Sequence, residues 1–375
     1  MILKEQKLSE ILTENRLMPE PLKNMFSKDY LNNFADAFKK KYPKFDKSKF
    51  LNLVFDSEWD KKELKQRMRH ISICLHEVLP DDYREAIEIL KKSVIHFKGF
   101  LSMVFPDYVE VYGLNNYKAS MNALELFTQF GSSEFAIRPF IVKYPKNAMQ
   151  QMLKWAKHKN HHVRRLASEG SRPRLPWAIG LPEFKKNPKQ VLQVLEILKN
   201  DESEYVRKSV ANNLNDISKD NPELAFQTAK EWFGKNPKTD WIVKHGMRGL
   251  LKKGNTEALK LFGFEGAEGI KIIDLNFDPA KIKVGDKIIF SFKMKPAKEQ
   301  KIRLEYTIDF ITSSGKNSRK IFKITENVYQ KGKTYEVRKS HSFKDLTVRK
   351  HFKGSHSLAI IVNGEKLADK KFEII

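Results

Sequence analysis

The sequence has little of several residues and patterns on which common chemistries depend. Its 375 residues include one cysteine, Cys74, which excludes intramolecular disulfides, cysteine-based zinc sites and four-cysteine iron–sulfur clusters. It contains no run of about 18 apolar residues, no secretory signal pattern, and neither of the glycine-rich loops that bind nucleotide phosphates. We therefore predict a cytoplasmic protein with no membrane span and no nucleotide cofactor.

Recognisable metal-ligand spacing is also missing. His158, His161 and His162 lie close together in the sequence, but no carboxylate or thiolate accompanies them at the fixed spacing of a metal site. An ordinary polar surface explains these histidines. We predict that the protein binds no metal.

Acidic residues are scarce relative to basic ones. The chain has 70 Lys and Arg against 46 Asp and Glu, a formal net charge of +24 at pH 7 and a pI near 9.7. Because this excess is spread along the whole chain, it indicates a folded basic surface with a polyanionic partner. Nucleic acid is the leading candidate, and a membrane surface is the alternative.

The apolar pattern divides the chain into two halves. From residue 5 to about 262, apolar residues recur at helical spacing, beginning with LSEILTEN, and no alternating pattern interrupts them. After a glycine-rich joint at 263–269, seven short segments alternate apolar and polar residues between turn signals. We predict an α-solenoid followed by an all-β, immunoglobulin-like sandwich, with domains at 1–265 and 266–375.

A degenerate repeat supports the solenoid. The segments HHVRRLASEGS, EYVRKSVANNLND and DWIVKHGMRGLLKK superpose when Val163, Val206 and Ile242 share one position, at intervals of 43 and 36 residues. This period is typical of HEAT-like helix pairs, whose second helices usually line a concave surface.

The face opposite the apolar one carries a basic track. At 100° per residue, positions two and six after the shared Val or Ile lie together. They hold Arg165 and Glu169, Lys208 and Asn212, and Lys244 and Arg248, and Arg172 continues the face. Such a stripe could follow a phosphate backbone, and a solvated outer face is the alternative. For Glu169, an exposed pair with Arg165 worth roughly 0.3–0.5 kcal/mol is the bland interpretation.

Carboxylates on this track point to a specific chemistry. Asp216 lies one turn beyond the track position of its helix and should come close to Glu169, where two anions would repel a phosphodiester. Fixed negative charge would instead stabilise a cationic transition state. Cleavage of an N-glycosidic bond in DNA passes through an oxocarbenium-like sugar, and a ring-alkylated base that is already cationic leaves without protonation.

Two further residues remain open at this point. Trp177 follows Glu169 on a turn that Pro173 and Pro176 stiffen, and it either packs inside the protein or stacks on a nucleotide. Glu134 suits the first turn of a helix, and simple register separates it from Glu169 by about 13 Å along a helix axis. Pro139 makes that register uncertain, so the residue pattern alone does not decide the role of Glu134.

Three segments carry a family resemblance. SSEFAIRPFI, HHVRRLASEGSRPRLPW and EYVRKSVANNLNDISKDNP resemble, in order and spacing, the AlkC branch of the AlkC/AlkD DNA alkylation-repair glycosylases, which are built from HEAT-like repeats. The resemblance covers roughly residues 5–262. The basic sandwich is similar in pattern to the immunoglobulin-like domain of some family members.

The resemblance implies hydrolytic excision of 3-methyladenine and 3-methylcytosine from duplex DNA by a monomer, without metal or cofactor. By motif position, Glu134 and Glu169 match acidic active-site residues, Trp177 matches the active-site tryptophan, and Arg165 and Asp216 match groove residues. The predicted catalytic residues are Glu134, Glu169, Asp216 and Trp177. The predicted DNA-binding residues are Arg164, Arg165, Arg172, Arg174, Lys208, Lys244 and Arg248.

Two expectations complete the sequence-based prediction. The protein should be cytoplasmic and nucleoid-associated when bound to DNA, and its sandwich should grip the duplex through basic loops at 313–320 and 348–356. The alternative function is a HEAT-repeat protein that binds nucleic acid or acts as a scaffold without catalysis. That alternative does not explain the acidic interruption of the basic track.

Overall fold

The computed structural model describes residues 20–345 and 350–375. The first predicted helical segment, LSEILTEN, and residues 348–349 of the second basic loop lie outside the described residues. The chain divides into two compact units between residues 216 and 217.

The described residues form sixteen α-helices followed by eight strands. The first unit contains α1 (Lys28–Lys41), α2 (Lys47–Val54), α3 (Leu64–His76), α4 (Tyr83–Ser93), α5 (Val104–Tyr112), α6 (Tyr117–Phe127), α7 (Arg138–Lys143), α8 (Pro145–Trp155), α9 (His161–Gly170), α10 (Pro182–Lys186), α11 (Lys189–Leu198) and the greater part of α12 (Glu204–Asp220). Short 3-10 turns lie at Leu22–Met25, Trp59–Lys61, Val94–His96 and Phe100–Met103.

Side-chain caps and apolar stripes explain why these helices form where they do. The Ser27 side chain accepts a hydrogen bond from the Tyr30 amide at the start of α1, and Asp82 accepts from two amides at the start of α4. The apolar stripe of α1 buries Phe34 and Phe38 completely. Helix α9 packs against α8 and α11, as expected for stacked helical repeats.

The second unit combines the last helices with the sandwich. Its helices are α13 (Pro222–Trp232), α14 (Pro237–Gly246), α15 (Arg248–Lys252) and α16 (Thr256–Leu261). Its strands are β1 (Ile270–Asp278), β2 (Lys281–Ile282), β3 (Lys287–Pro296), β4 (Gln300–Ile311), β5 (Asn317–Tyr329), β6 (Tyr335–Ser342), β7 (Gly354–Val362) and β8 (Glu365–Ile374).

Two sheets pack over one core in this unit. The three-stranded sheet has the order β1-β3-β6, and the five-stranded sheet has the order β2-β8-β7-β4-β5. All pairings are antiparallel except that of β2 with β8. Alternate residues of β3, including Phe290 and Phe292, point into the core, where β4 contributes Leu304 and Ile308.

The fold predicted from the sequence is confirmed: helical repeats precede an all-β, immunoglobulin-like sandwich. All seven predicted strands are present. Strand β2 was not predicted, because a strand of two residues is too short to show an alternating pattern.

The predicted glycine-rich joint lies where the secondary structure changes. The last helix ends at Leu261 and the first long strand begins at Ile270. The boundary between the two compact units lies elsewhere, because α13 to α16 group with the sandwich. The division into domains 1–265 and 266–375 therefore marks a change of secondary structure, and independent folding of those two parts stays a prediction.

Candidate active site

Helix α9 places the predicted acidic residue at its C-terminal end. Asn160 caps the helix by accepting a hydrogen bond from the His162 amide, and Val163 and Leu166 are completely buried. A Cβ at Gly170 would lie 2.6 Å from Ile137, so only glycine allows the helix to approach so closely. The helix register is therefore the one expected, but Glu169 is only 5% exposed and not on a solvated face.

Three carboxylates and two guanidinium groups form a connected chain, which we call the carboxylate cluster: Glu134, Arg165, Glu169, Arg172 and Asp216. Arg165 Nη1 donates to Glu134 Oε2 at 2.7 Å, and its Nη2 lies 3.7 Å from Glu169 Oε1. Arg172 donates to Glu169 Oε1 at 2.7 Å and to Asp216 Oδ2 at 2.8 Å. The expected proximity of Glu169 and Asp216 is thus observed, with one guanidinium between them.

Glu134 joins the cluster despite the helical register that would separate it from Glu169. That register does not apply, because Glu134 lies in the turn that precedes α7 and not on the helix itself. Its carboxylate also accepts a hydrogen bond from Ser132 Oγ at 2.6 Å. The structure thereby brings together the two glutamates that the family resemblance singled out.

The carboxylates of the cluster raise the pKa values of its two arginines. Burial by itself lowers the pKa of Arg165, but the carboxylates of Glu134 and Glu169 outweigh it and raise that pKa. The pKa of Arg172 is raised in the same way, as Glu169 and Asp216 outweigh its burial. Both arginines are therefore charged at neutral pH.

The cluster forms part of the wall of a cavity of about 750 Å³. Glu134, Glu169 and Trp177 line this cavity, together with both arginines of the cluster. Asp216 is 1% exposed and bonds to Arg172, and it does not itself line the cavity.

Trp177 is not a packing residue. Its side chain is 65% exposed, and its backbone has a φ of +63°, a left-handed conformation that is uncommon for a bulky residue. The indole therefore lies at the edge of the cavity, available for a ligand. This excludes the buried interpretation of Trp177 and leaves the stacking role as a prediction.

Tyr205 also lines the cavity and was not among the predicted site residues. The guanidinium of Arg165 lies 4.6 Å from the centre of its ring, which is a cation–π contact. Tyr205 precedes Val206 in the repeat, as His162 precedes Val163 and Trp241 precedes Ile242. An aromatic ring at this one position in all three repeats was the signal that could have identified it.

The predicted DNA-binding residues occupy different environments. Arg164 donates to both oxygens of Asp201, at 2.6 and 2.9 Å, and to two backbone carbonyls, which gives it a structural role. Lys208 is exposed and pairs with Glu204 at 2.7 Å, and Arg174 is exposed on the turn before Trp177. Binding of DNA by any of the seven stays a prediction.

Lys244 and Arg248 line a second cavity of about 600 Å³ in the second unit. Lys244 Nζ lies 2.5 Å from Glu326, and Arg248 donates to the His245 carbonyl. The remaining basic residues of this wall are Lys252, Arg303 and Lys323. The indole of Trp241 stacks on His245 with ring centres 5.1 Å apart.

No helix of the described part of the chain is long and apolar enough to cross a membrane. In the same residues, no group of three or more His, Cys, Asp or Glu side chains is arranged to hold a metal ion.

Comparison with known families identifies the class of protein. A family described as DNA alkylation repair enzyme matches residues 127–248, which contain the whole carboxylate cluster. The C-terminal immunoglobulin-like domain of the uncharacterised protein YhaZ matches residues 271–375. The fold and the site thus define a helical-repeat protein of the DNA alkylation repair enzymes with an appended sandwich.

Two relatives narrow this class. The uncharacterized protein YhaZ of Bacillus subtilis (strain 168) is 47% identical over 353 residues, which are 94% of this chain and 99% of that protein. A solved structure of the Pseudomonas fluorescens alkylpurine DNA glycosylase AlkC, bound to DNA containing an abasic site analog, matches with 40% identity and a TM-score of 0.92. The match covers 95% of this chain and 99% of that one. The chain belongs to the AlkC branch of the AlkC/AlkD DNA alkylation-repair glycosylases.

Proposed function

We propose that this protein is a monofunctional DNA glycosylase that hydrolyses the N-glycosidic bond of cationic alkylated bases, 3-methyladenine and 3-methylcytosine, in duplex DNA. Its product is an abasic site, and the reaction needs no metal or cofactor. The observation that carries the proposal is the carboxylate cluster: three carboxylates, held by two arginines, at the wall of a cavity, on a chain whose net charge is +24.

The negative charge of the carboxylates suits the reaction. As the bond to a cationic base breaks, positive charge moves from the base to the deoxyribose ring. Preorganised carboxylates beside the ring stabilise that charge without reorganising, and the arginines keep them in place. A site built only to bind the DNA backbone would gain nothing from these anions, because they repel phosphates.

The two cavity-lining glutamates have different roles. Both oxygens of Glu169 are already bonded, Oε1 to Arg172 at 2.7 Å and Oε2 to Ser209 at 2.6 Å. Glu169 is therefore the fixed electrostatic partner of the sugar cation. Both described contacts of Glu134 use Oε2, which leaves Oε1 to accept a proton from the attacking water.

The remaining residues bind and orient the DNA. The exposed indole of Trp177 stacks on the damaged nucleotide or its sugar. Arg174 and Lys208 contact phosphates beside the cavity, and Lys244 and Arg248 extend the contact to the second unit, where the sandwich acts as an auxiliary grip. The AlkC relative was solved with DNA containing an abasic site analog, which supports DNA as the partner.

Chromatography of bases released from methylated duplex DNA tests the proposal. The full-length protein should release free 3-methyladenine and 3-methylcytosine and leave unbroken strands that carry abasic sites. No lysine is proposed as a Schiff-base nucleophile, so no strand cleavage is expected. Equal affinity for damaged and undamaged duplex, with no base released, would instead support the non-enzymatic binding protein.

A further inference from the structure

The exposed indole of Trp177 poses a positioning problem. A side chain that is 65% exposed is not held by packing, so the direction of the indole depends on the backbone that carries it. That backbone is left-handed, a conformation that is strained for a residue other than glycine. Such a conformation persists only where the surroundings impose it.

The base of the turn, residues 171–181, is fixed by one buried arginine. Arg138 is fully buried, and its guanidinium donates to the carbonyls of Gly170, Arg172 and Ile179 at 2.7–3.0 Å. Burial lowers the pKa of Arg138 to about 10, so the group is still charged at neutral pH. These bonds tie both ends of the turn and the end of α9 to the start of α7, but they do not reach the tip of the turn.

The tip is held from a different repeat. Lys65, at the start of α3, donates from its ammonium group to the carbonyl of Trp177 at 2.6 Å across 112 residues of sequence. The same ammonium lies 4.4 Å from the centre of the Phe135 ring, next to Glu134. One cation thus contacts the two segments that carry the tryptophan and the water-binding glutamate.

We propose that Lys65 is a positioning residue for base excision: its ammonium group fixes the left-handed peptide of Trp177 and so aims the indole over the cavity. The role of the indole in excision rests on the proposed function, whereas its placement by Lys65 does not. Lys65 is half-buried and donates to a backbone carbonyl, so its contribution is geometric and differs from that of a phosphate-binding surface lysine.

Fluorine NMR of protein labelled with 5-fluorotryptophan tests the placement directly. Trp177→Phe assigns the resonance of residue 177 among the five tryptophans. Lys65→Met should shift or broaden that resonance and leave the other four in place, and Lys65→Arg should restore it, because a guanidinium can donate to the same carbonyl. Lys61→Met is the matched control, since it removes one charge from an exposed lysine four residues away. An unchanged Trp177 resonance in Lys65→Met would overturn the proposal.

Single-turnover kinetics on methylated duplex DNA test the consequence. Lys65→Met should slow base release by roughly ten- to a hundredfold while changing DNA affinity no more than Lys61→Met does. Because Lys65 acts through Trp177, adding Lys65→Met to Trp177→Ala should cause little further loss. Multiplied effects in the double variant would contradict the proposal. If the wild-type protein releases no base, the proposed function fails, and the fluorine spectrum still decides the placement.

Discussion

The protein contains two groups of paired charges that lie beside cavities and differ in composition. The carboxylate cluster has three acids and two arginines beside the first cavity. The second group, which we call the sandwich cluster, consists of Lys244, Arg303, Glu305 and Glu326 beside the second cavity. It is balanced in itself, and Lys323, 3.9 Å from Glu326, makes it cationic.

This difference distinguishes a site for a cation formed during reaction from a site for phosphate, which the net charge of the chain does not distinguish. Buried ions need partners wherever they lie, so a paired cluster by itself indicates only that the fold can hold it. The composition is informative: acids outnumber arginines in the carboxylate cluster, which suits a cation that forms during reaction. The wall of the second cavity is mostly basic, which suits a phosphate. The two clusters can therefore be compared by removing equivalent members of each.

Loss of the bridging arginine is the largest expected effect. Arg172→Met leaves Glu169 and Asp216 buried without their shared cation, and Arg303→Met does the same to Glu305. Each should lower the free energy of unfolding by about 3–5 kcal/mol, measured by urea denaturation. Arg319→Met, which breaks an exposed pair with Asp309, is the control and should cost about 1 kcal/mol or less. Equal stability of Arg172→Met and Arg319→Met would show that the carboxylate cluster is not held as described.

Neutralising one acid in each cluster distinguishes them by activity. Glu169→Gln keeps the shape of the side chain and removes the charge, so base release should slow by roughly a hundred- to a thousandfold while DNA affinity stays the same or rises. Glu305→Gln, equally buried in the sandwich, should leave the rate unchanged. The measurement is single-turnover release of 3-methyladenine. Full activity of Glu169→Gln would remove the electrostatic mechanism.

Phosphate binding by the second cavity should appear in the salt dependence. Lys244→Met removes a cation while Arg303 still pairs with Glu326, so the fold should persist. The slope of log affinity against log salt should fall by roughly one, with the rate at saturation unchanged. Lys366→Met, on the surface of β8, is the control. An identical slope for the two variants would exclude Lys244 from the DNA contact.

The sequence predicted the two clusters unequally. Regular helical periodicity located Glu169 and Asp216 correctly relative to each other, because both lie on continuous helices, α9 and α12. It failed for Glu134, which lies in a turn where no period applies, and only the resemblance of its motif indicated its role. The contact of Lys65 with Trp177 links residues far apart in sequence, and no local pattern encodes such a pairing.

The same limit applies to the second unit. Alternation predicted seven strands, but it could not show that Lys244 on α14 pairs with Glu326 on β5. The seven predicted DNA-binding residues were treated as if each faced DNA equally. Arg164 is instead held by Asp201, because an arginine beside a buried carboxylate satisfies it at close range whatever the helical angle.

The smallest expected effect is a dependence of stability on pH that is centred in the sandwich. His356 is 1% exposed, and burial lowers its pKa below the ordinary value. The unfolded chain therefore binds a proton more readily than the folded one, so the stabilising contribution is present above about pH 6.5 and is lost as the pH falls below it. Each kcal/mol lost lowers Tm by roughly 2–4 °C in a protein part of this size.

His356→Gln tests this contribution, because glutamine can still donate to the Phe352 carbonyl but cannot titrate. The wild type should lose a few degrees of Tm, about 2–4 °C per kcal/mol, between pH 7 and pH 5.5. The variant should lose less. This window lies above the range in which carboxylates with lowered pKa values, such as Asp309, begin to matter. His96→Gln, on an exposed histidine, should keep the wild-type dependence. If Tm depends on pH in the same way in all three proteins, the acid sensitivity arises outside the sandwich core. The two units would then not differ in this respect.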